Sequence, residues 1–108
     1  MELRHVRYFL AVVDAGSVTA AAPVVHVTQP SLSRQLRLFE RGLGLTLFTR
    51  AGGRLALSAA GRQFVPVARG LARRAGAAAE AAATLAGGRL QHLSIAAPGT
   101  TVADVLAP

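Results

Sequence analysis

The sequence predicts a mainly α-helical fold: a winged helix-turn-helix of three helices plus a β-hairpin wing, followed by a long dimerisation helix. Three observations carry this prediction. Two capped helical segments follow one another closely, joined by the short connector His26-Val27-Thr28. A Gly52-Gly53 pair separates two β-like runs, and an alanine-rich stretch of helical period begins after Ser58.

The first helix is expected over residues 3–15, where Leu3, Val6, Leu10 and Val13 recur at helical spacing with Phe9 beside them. Gly16 suits the left-handed position past its end, and Ser17 can cap the helix that follows. That second helix, residues 18–25, would bury Val18, Ala21, Ala22 and Val25. Pro23 sits awkwardly in it, since its ring opposes the carbonyl of Thr19. Thr28 caps the third helix, expected over 29–41, with Pro30 in the first turn, where its missing N–H removes no intrahelical bond. At 100° per residue, Leu32, Leu36, Phe39 and Leu43 fall on one side. Pro30, Arg34, Arg37 and Arg41 fall on the other, flanked by Ser33.

Beyond Gly44 the pattern shortens to "LFTR" and "RLAL". A Gly-Gly pair between such runs signals a hairpin, because both turn residues can take positive φ. Arg50 and Arg54 are expected at its base and tip. Ser58 then caps a long helix, expected to end at Gly87-Gly88, with Pro66 as a candidate kink. In the final stretch Leu93, Ile95 and Ala97 alternate as in a lone strand, which reads as the start of another domain. The expected division is therefore 1–58, 59–88 and 89–108.

Composition narrows the function. The 108 residues carry twelve arginines and no lysine against five acids, a net charge of +7. Such a balance favours a polyanionic partner, nucleic acid before an anionic membrane surface. Without cysteine there is no disulfide framework and no cysteine metal site. His5, His26 and His92 are scattered without metal-ligand spacing, so no metal and no cofactor is expected. No G-x-S-x-G elbow, Walker loop or G-x-G-x-x-G is present, which argues against an enzyme. The longest uncharged run, Ala15 to Ser33, is broken by Gly16, Pro23 and Pro30, so no membrane span or leader is expected and the cytoplasm is the default.

The stretch "HVTQPSLSRQLRLFE" concentrates the chemistry. A helix slim and polar on its outer face can enter the major groove and present its N-terminal side chains to base edges. Gln29 can pair with adenine and Arg34 with guanine, while Thr28, Ser31 and Ser33 have short hydroxyls suited to phosphate or base. The plain alternative is a solvated helix face, which weighs most for Arg37 and Arg41; Arg50 could equally be a structural arginine bracing the wing. Arg62, Arg69, Arg73 and Arg74 read as solvated or inter-subunit charges.

The residues "MELRHVRYFLAVVDAGSVTAAA", "HVTQPSLSRQLRLFERGLGLTLFTR" and "LSAAG" resemble the N-terminus of LysR-type transcriptional regulators over residues 1–62, more weakly to 97. The resemblance implies a sequence-specific regulator that reads double-stranded DNA as a homodimer or tetramer, with a small-molecule effector bound by a domain of which 89–108 would be only the start. It implies groove reading by Gln29, Pro30, Ser33 and Arg34, with Thr28 and Ser31 near phosphate; Arg37, Arg50 and Arg54 complete the expected DNA-binding set. The long helix is expected to dimerise through Phe64, Ala68, Leu71, Ala75, Ala82 and Leu85, and Thr100 and Thr101 lie near the expected effector site. Pro23, Gly53 and the Arg41-Gly42 pair depart from the family pattern. The competing readings are a dimerisation module that has lost DNA binding, for which Pro23 speaks, and a membrane-surface protein built on the arginine-bearing helix.

Overall fold

The structure, a computed structural model, describes residues 1–95, with side-chain surroundings to residue 88. Its elements are α1 (Leu3–Ala15), α2 (Val18–Val24), α3 (Gln29–Leu43), β1 (Phe48–Ala51), β2 (Arg54–Leu57) and α4 (Ala59–Ile95). Two compact units are distinguished, Met1–Ala72 and the residues from Arg73 onward. The first unit thus takes in the opening turns of α4, beyond the boundary expected at residue 58.

The caps form as expected. Gly16 closes α1 in the left-handed region, with its N–H donating to the carbonyl of Val12. The Ser17 hydroxyl accepts the Ala20 N–H at 3.0 Å and the Thr28 hydroxyl accepts the Ser31 N–H at 3.3 Å. Each satisfies an orphan donor of a first helical turn. Pro23 does not prevent α2 from forming, because the helix ends one residue later, at Val24. Ladder bonds resume at once, with the Val25 N–H reaching the Ala21 carbonyl at 3.2 Å. Thr19, whose carbonyl faces the proline ring, is exposed, so water can serve it.

The turn between α2 and α3 contains the only positive-φ residue other than glycine among the described residues, His26, at 61°. A left-handed conformation strains a residue with a Cβ. His26→Gly is therefore expected to raise stability by about 0.5 kcal/mol, the relief being partly offset by a freer unfolded chain. Thermal unfolding of the two chains measures it, and a loss would show that the imidazole contributes beyond its backbone.

The core gathers Val6, Phe9, Leu10 and Val12 of α1, Ala21 and Ala22 of α2, and Leu32, Leu36 and Phe39 of α3, with Leu47 and Ala68. Two sequence expectations shift here. Leu3 is exposed, whereas His5 and Val12 are buried. The stripe expected from the spacing was too narrow, since α1 packs against both α2 and α3. Phe9 is the hub: its ring lies 6.3 Å from Phe39, 5.5 Å from Phe48 and 5.7 Å from Phe64, centroid to centroid. It therefore joins α1 to α3, to the hairpin and to α4.

The hairpin is antiparallel, pairing Phe48 with Leu57, Thr49 with Ala56, Arg50 with Leu55 and Ala51 with Arg54. Gly52 and Gly53 take φ of 60° and 77°, the paired positive angles of a type I′ turn. Arg54 flanks the tip as expected. Arg50 stands one rung from the tip rather than at the base, which belongs to Phe48 and Leu57.

Two further expectations are corrected. α3 runs two residues past 41, through Leu43, to Gly44, whose N–H donates to the carbonyls of Glu40 and Arg41. α4 continues through Gly87-Gly88 to Ile95, so Leu93 and Ile95 are helical and not the start of a strand. Each glycine costs about 1 kcal/mol relative to alanine, but a residue added to an existing helix gains a hydrogen bond without a new nucleus. A lone strand would leave the same backbone groups unpaired. Ala97, Thr100 and Thr101 lie outside the described residues.

Candidate nucleic-acid interface

The site is built on α3. Its core side, Leu32, Leu36 and Phe39, is buried, which turns Arg34 and Arg37 outward, exposed beside Pro30. Ser31 and Ser33 are half-buried on its flanks. Gln29 occupies the first turn, where its side-chain amide donates to the Ser33 hydroxyl at 3.0 Å. This bond holds Gln29 along the helix with its carbonyl oxygen free to accept. Thr28 is exposed, but its hydroxyl oxygen is engaged in capping, leaving its proton for an outside acceptor.

Gln29 also lines an open groove of about 470 Å³ together with Arg50, Gly53, Arg54 and Leu55 of the wing and Gly16 to Thr19 at the start of α2. Gln29, Arg50 and Arg54 of the expected DNA-binding set are therefore brought to one concavity, while Arg34 and Arg37 stand on the adjoining helix face. Ser17, Val18 and Thr19 were not singled out from the sequence. Their place in the groove follows from α2 starting beside the wing, which no local pattern encodes.

The charge on this surface is uncompensated. Among the described residues the ion pairs are Arg4–Glu2 at 3.1 Å and Arg69–Asp14 at 2.8 Å. Arg34, Arg37, Arg50 and Arg54 thus face no carboxylate. Arg69 is partly solvent-exposed and paired within its own chain, its guanidinium spanning Asp14 with both terminal nitrogens. That hydrogen bond holds the Asp14 carboxyl below the usual carboxylate range. Arg62 likewise serves its own chain, donating to the carbonyl of Leu57 at 3.1 Å.

Two supports were missed in the sequence reading. Glu40, on the flank of α3, accepts the N–H groups of Leu47 and Phe48 at 2.6 and 3.1 Å through one carboxylate oxygen. On the opposite flank, the buried His5 ring meets the side-chain oxygen of Gln35. Both join residues distant in sequence, and spacing cannot show such pairs.

The residues expected to dimerise divide. Ala68 is wholly enclosed in the core of its own chain, while Phe64 and Leu71 pack against it. Phe64 stacks edge-on to Phe9 and Phe39. Ala68 is thus a core residue of its own chain, whereas Phe64 and Leu71 pack on that core and stay partly exposed. Ala75 is half-buried, and Ala82 and Leu85 are exposed.

Residues 3–62 match the family described as bacterial regulatory helix-turn-helix protein, lysR family. The chain belongs to that family. This LysR-family chain is 38% identical over 102 residues to the HTH-type transcriptional regulator TcbR of Pseudomonas sp. (strain P51), covering 94% of this chain and 35% of TcbR. It spans about a third of the length of that relative. The crystal structure of the CbnR DNA-binding domain–DNA complex is similar at a TM-score of 0.72 and 38% identity, over 80% of this chain and 99% of that one. The BenM DNA-binding domain on catB site 1 DNA is similar at 0.75 and 36%, over 82% and 96%. The winged helix-turn-helix with its long following helix is therefore the LysR-family DNA-binding domain. Among the described residues no helix is long and apolar enough to cross a membrane.

Proposed function

We propose that this LysR-family domain binds double-stranded DNA sequence-specifically, with α3 in the major groove and the wing beside it. The observation that carries this reading is the continuity of the unpaired donor surface. Gln29, Ser33, Arg34 and Arg37 on α3 run into the groove that Arg50 and Arg54 share with Gln29. Thr28, Pro30 and Ser31 complete the first turn of α3, where backbone N–H groups and the helix dipole favour a phosphate. The DNA complexes of CbnR and BenM domains with this fold support the same assignment.

The longer protein implied by the relatives would be a transcriptional regulator acting in the cytoplasm as a dimer or tetramer, without catalysis of its own. Ala75, Ala82 and Leu85 on the part of α4 past Ala72 are the positions left for pairing with a second copy. The chain beyond residue 88 would begin the part that binds a small-molecule effector.

Selection from a random duplex pool tests the DNA reading, followed by titration of the winner at two salt concentrations. A two-fold symmetric site is expected, bound with a log–log salt slope of about −0.9 per phosphate neutralised. A pool that never converges, with all affinity lost in salt, would leave only a nonspecific charge. Arg34→Ala is expected to cost roughly 1–3 kcal/mol and to relax preference at one base position. Unchanged preference in a repeated selection would remove Arg34 from the readers.

A further inference from the structure

We infer that Glu40 is a positioning residue for DNA binding: it sets the wing's place beside the recognition helix and so acts on DNA through Arg50 and Arg54. The inference rests on the reading of the preceding subsection. The Glu40 carboxylate lies at the end of α3 away from Gln29, and it holds the two N–H groups at which the chain enters β1. Leu47 is fully buried, with its N–H on Glu40 and its carbonyl accepting the Ser58 N–H at 2.9 Å. Ser58 in turn donates its hydroxyl to the Thr46 carbonyl and accepts the Gly61 N–H at 2.8 Å. One end of the wing strand is thus tied to α3 by Glu40 and to the start of α4 by Ser58.

These ties differ in kind. Ser58 links the hairpin to α4, an element that carries no reader. Glu40 is the polar link from the recognition helix itself to the wing. Arg50 follows Phe48 by two residues, so any rotation of β1 about its entry displaces Arg50 and its neighbour across the turn, Arg54. A carboxylate accepting two N–H groups makes charge-assisted bonds, shorter and stronger than neutral ones. Shortening or removing it frees the entry to β1, whereas the base-reading face of α3 stays fixed by Leu32, Leu36 and Phe39.

The test compares Glu40→Ala, Glu40→Asp and Glu40→Gln in the wild-type chain and in an Arg50→Ala/Arg54→Ala background. Binding is titrated on the duplex that the wild-type chain selects, at two salt concentrations. Asp keeps the charge and loses the reach; Gln keeps the reach and loses the charge. In the wild-type background, Ala and Asp are expected to weaken binding on the order of tenfold, with a salt slope shallower by up to about 1.8 for two lost phosphate contacts. Gln is expected to recover at least half of that loss on a logarithmic scale. In the Arg50→Ala/Arg54→Ala background all three are expected to bind alike, within about twofold. Should Glu40→Ala fail to fold, the Asp and Gln chains carry the comparison. Equal losses in both backgrounds, or a Gln chain worse than the Asp chain, would overturn the role assigned to Glu40 and leave DNA reading by α3 standing. A wild-type chain that selects no duplex would instead overturn the DNA reading itself, and this inference with it.

Discussion

Gly61→Ala is expected to cost about 3 kcal/mol or more, at the upper end of what overpacking does in a core. A Cβ at this buried position would stand 2.2 Å from the Leu47 carbonyl oxygen and 2.9 Å from a methyl carbon of Leu57. A leucine methyl can turn away, but a backbone carbonyl retreats only with its strand. This carbonyl is held on the far side of its residue by the Glu40 carboxylate on the Leu47 N–H, and it accepts the Ser58 N–H itself. The helix cannot yield either, because Gly61 lies in its first turn, anchored by the Ser58 hydroxyl. A domain of this size has roughly 5–15 kcal/mol in total, so the loss removes a large share of it. Chemical unfolding followed by circular dichroism measures the effect. A loss under about 1 kcal/mol would show that the junction of β1 with α4 opens easily, contrary to the ties described.

The contrast with what the sequence made legible is instructive at this junction. Ser17, Thr28 and Ser58 are legible as caps because capping is local: the hydroxyl serves an N–H three residues on. The Gly52-Gly53 turn was found for the same reason, as was the outward face of α3, which needs only the helical period. Glu40, Gly61 and the His5–Gln35 contact depend on segments 7 to 30 residues apart approaching each other. Nothing in the spacing of those residues marks them. The alanine-rich helix misled in the same way. Ala68 shows the period of an interface and is enclosed by its own chain; the period does not say whether a covering surface belongs to the same chain or to another. Arg69 is the polar counterpart: the sequence marks it as a solvated or inter-subunit charge, and its pairing with Asp14 of the same chain has no local signal.

Phe9→Ala is expected to destabilise the domain by about 3–5 kcal/mol and to carry DNA binding down with it. Phe9 is fully buried, and its loss leaves a cavity faced by Phe39, Phe48 and Phe64. The surroundings can collapse only a little, because each of these rings hangs from a different element. Phe39 faces the core from α3, Phe48 begins the wing strand and Phe64 lies in α4. A movement of any one to fill the space would shift α3, which carries the proposed readers, or an element packed beside it. The cost therefore exceeds transfer of a benzyl group alone, which accounts for roughly 1.5–3 kcal/mol. Phe9→Leu separates the two contributions, since it retains most of the apolar volume and is expected to lose well under half as much. Both chains are compared by urea unfolding, and by DNA titration at a temperature where each is folded. If Phe9→Ala, once folded, binds the selected duplex as tightly as the wild-type chain, the hub stabilises the fold without setting the geometry of the readers. Weaker binding by a fully folded chain would mean that one aromatic contact fixes recognition helix and wing together.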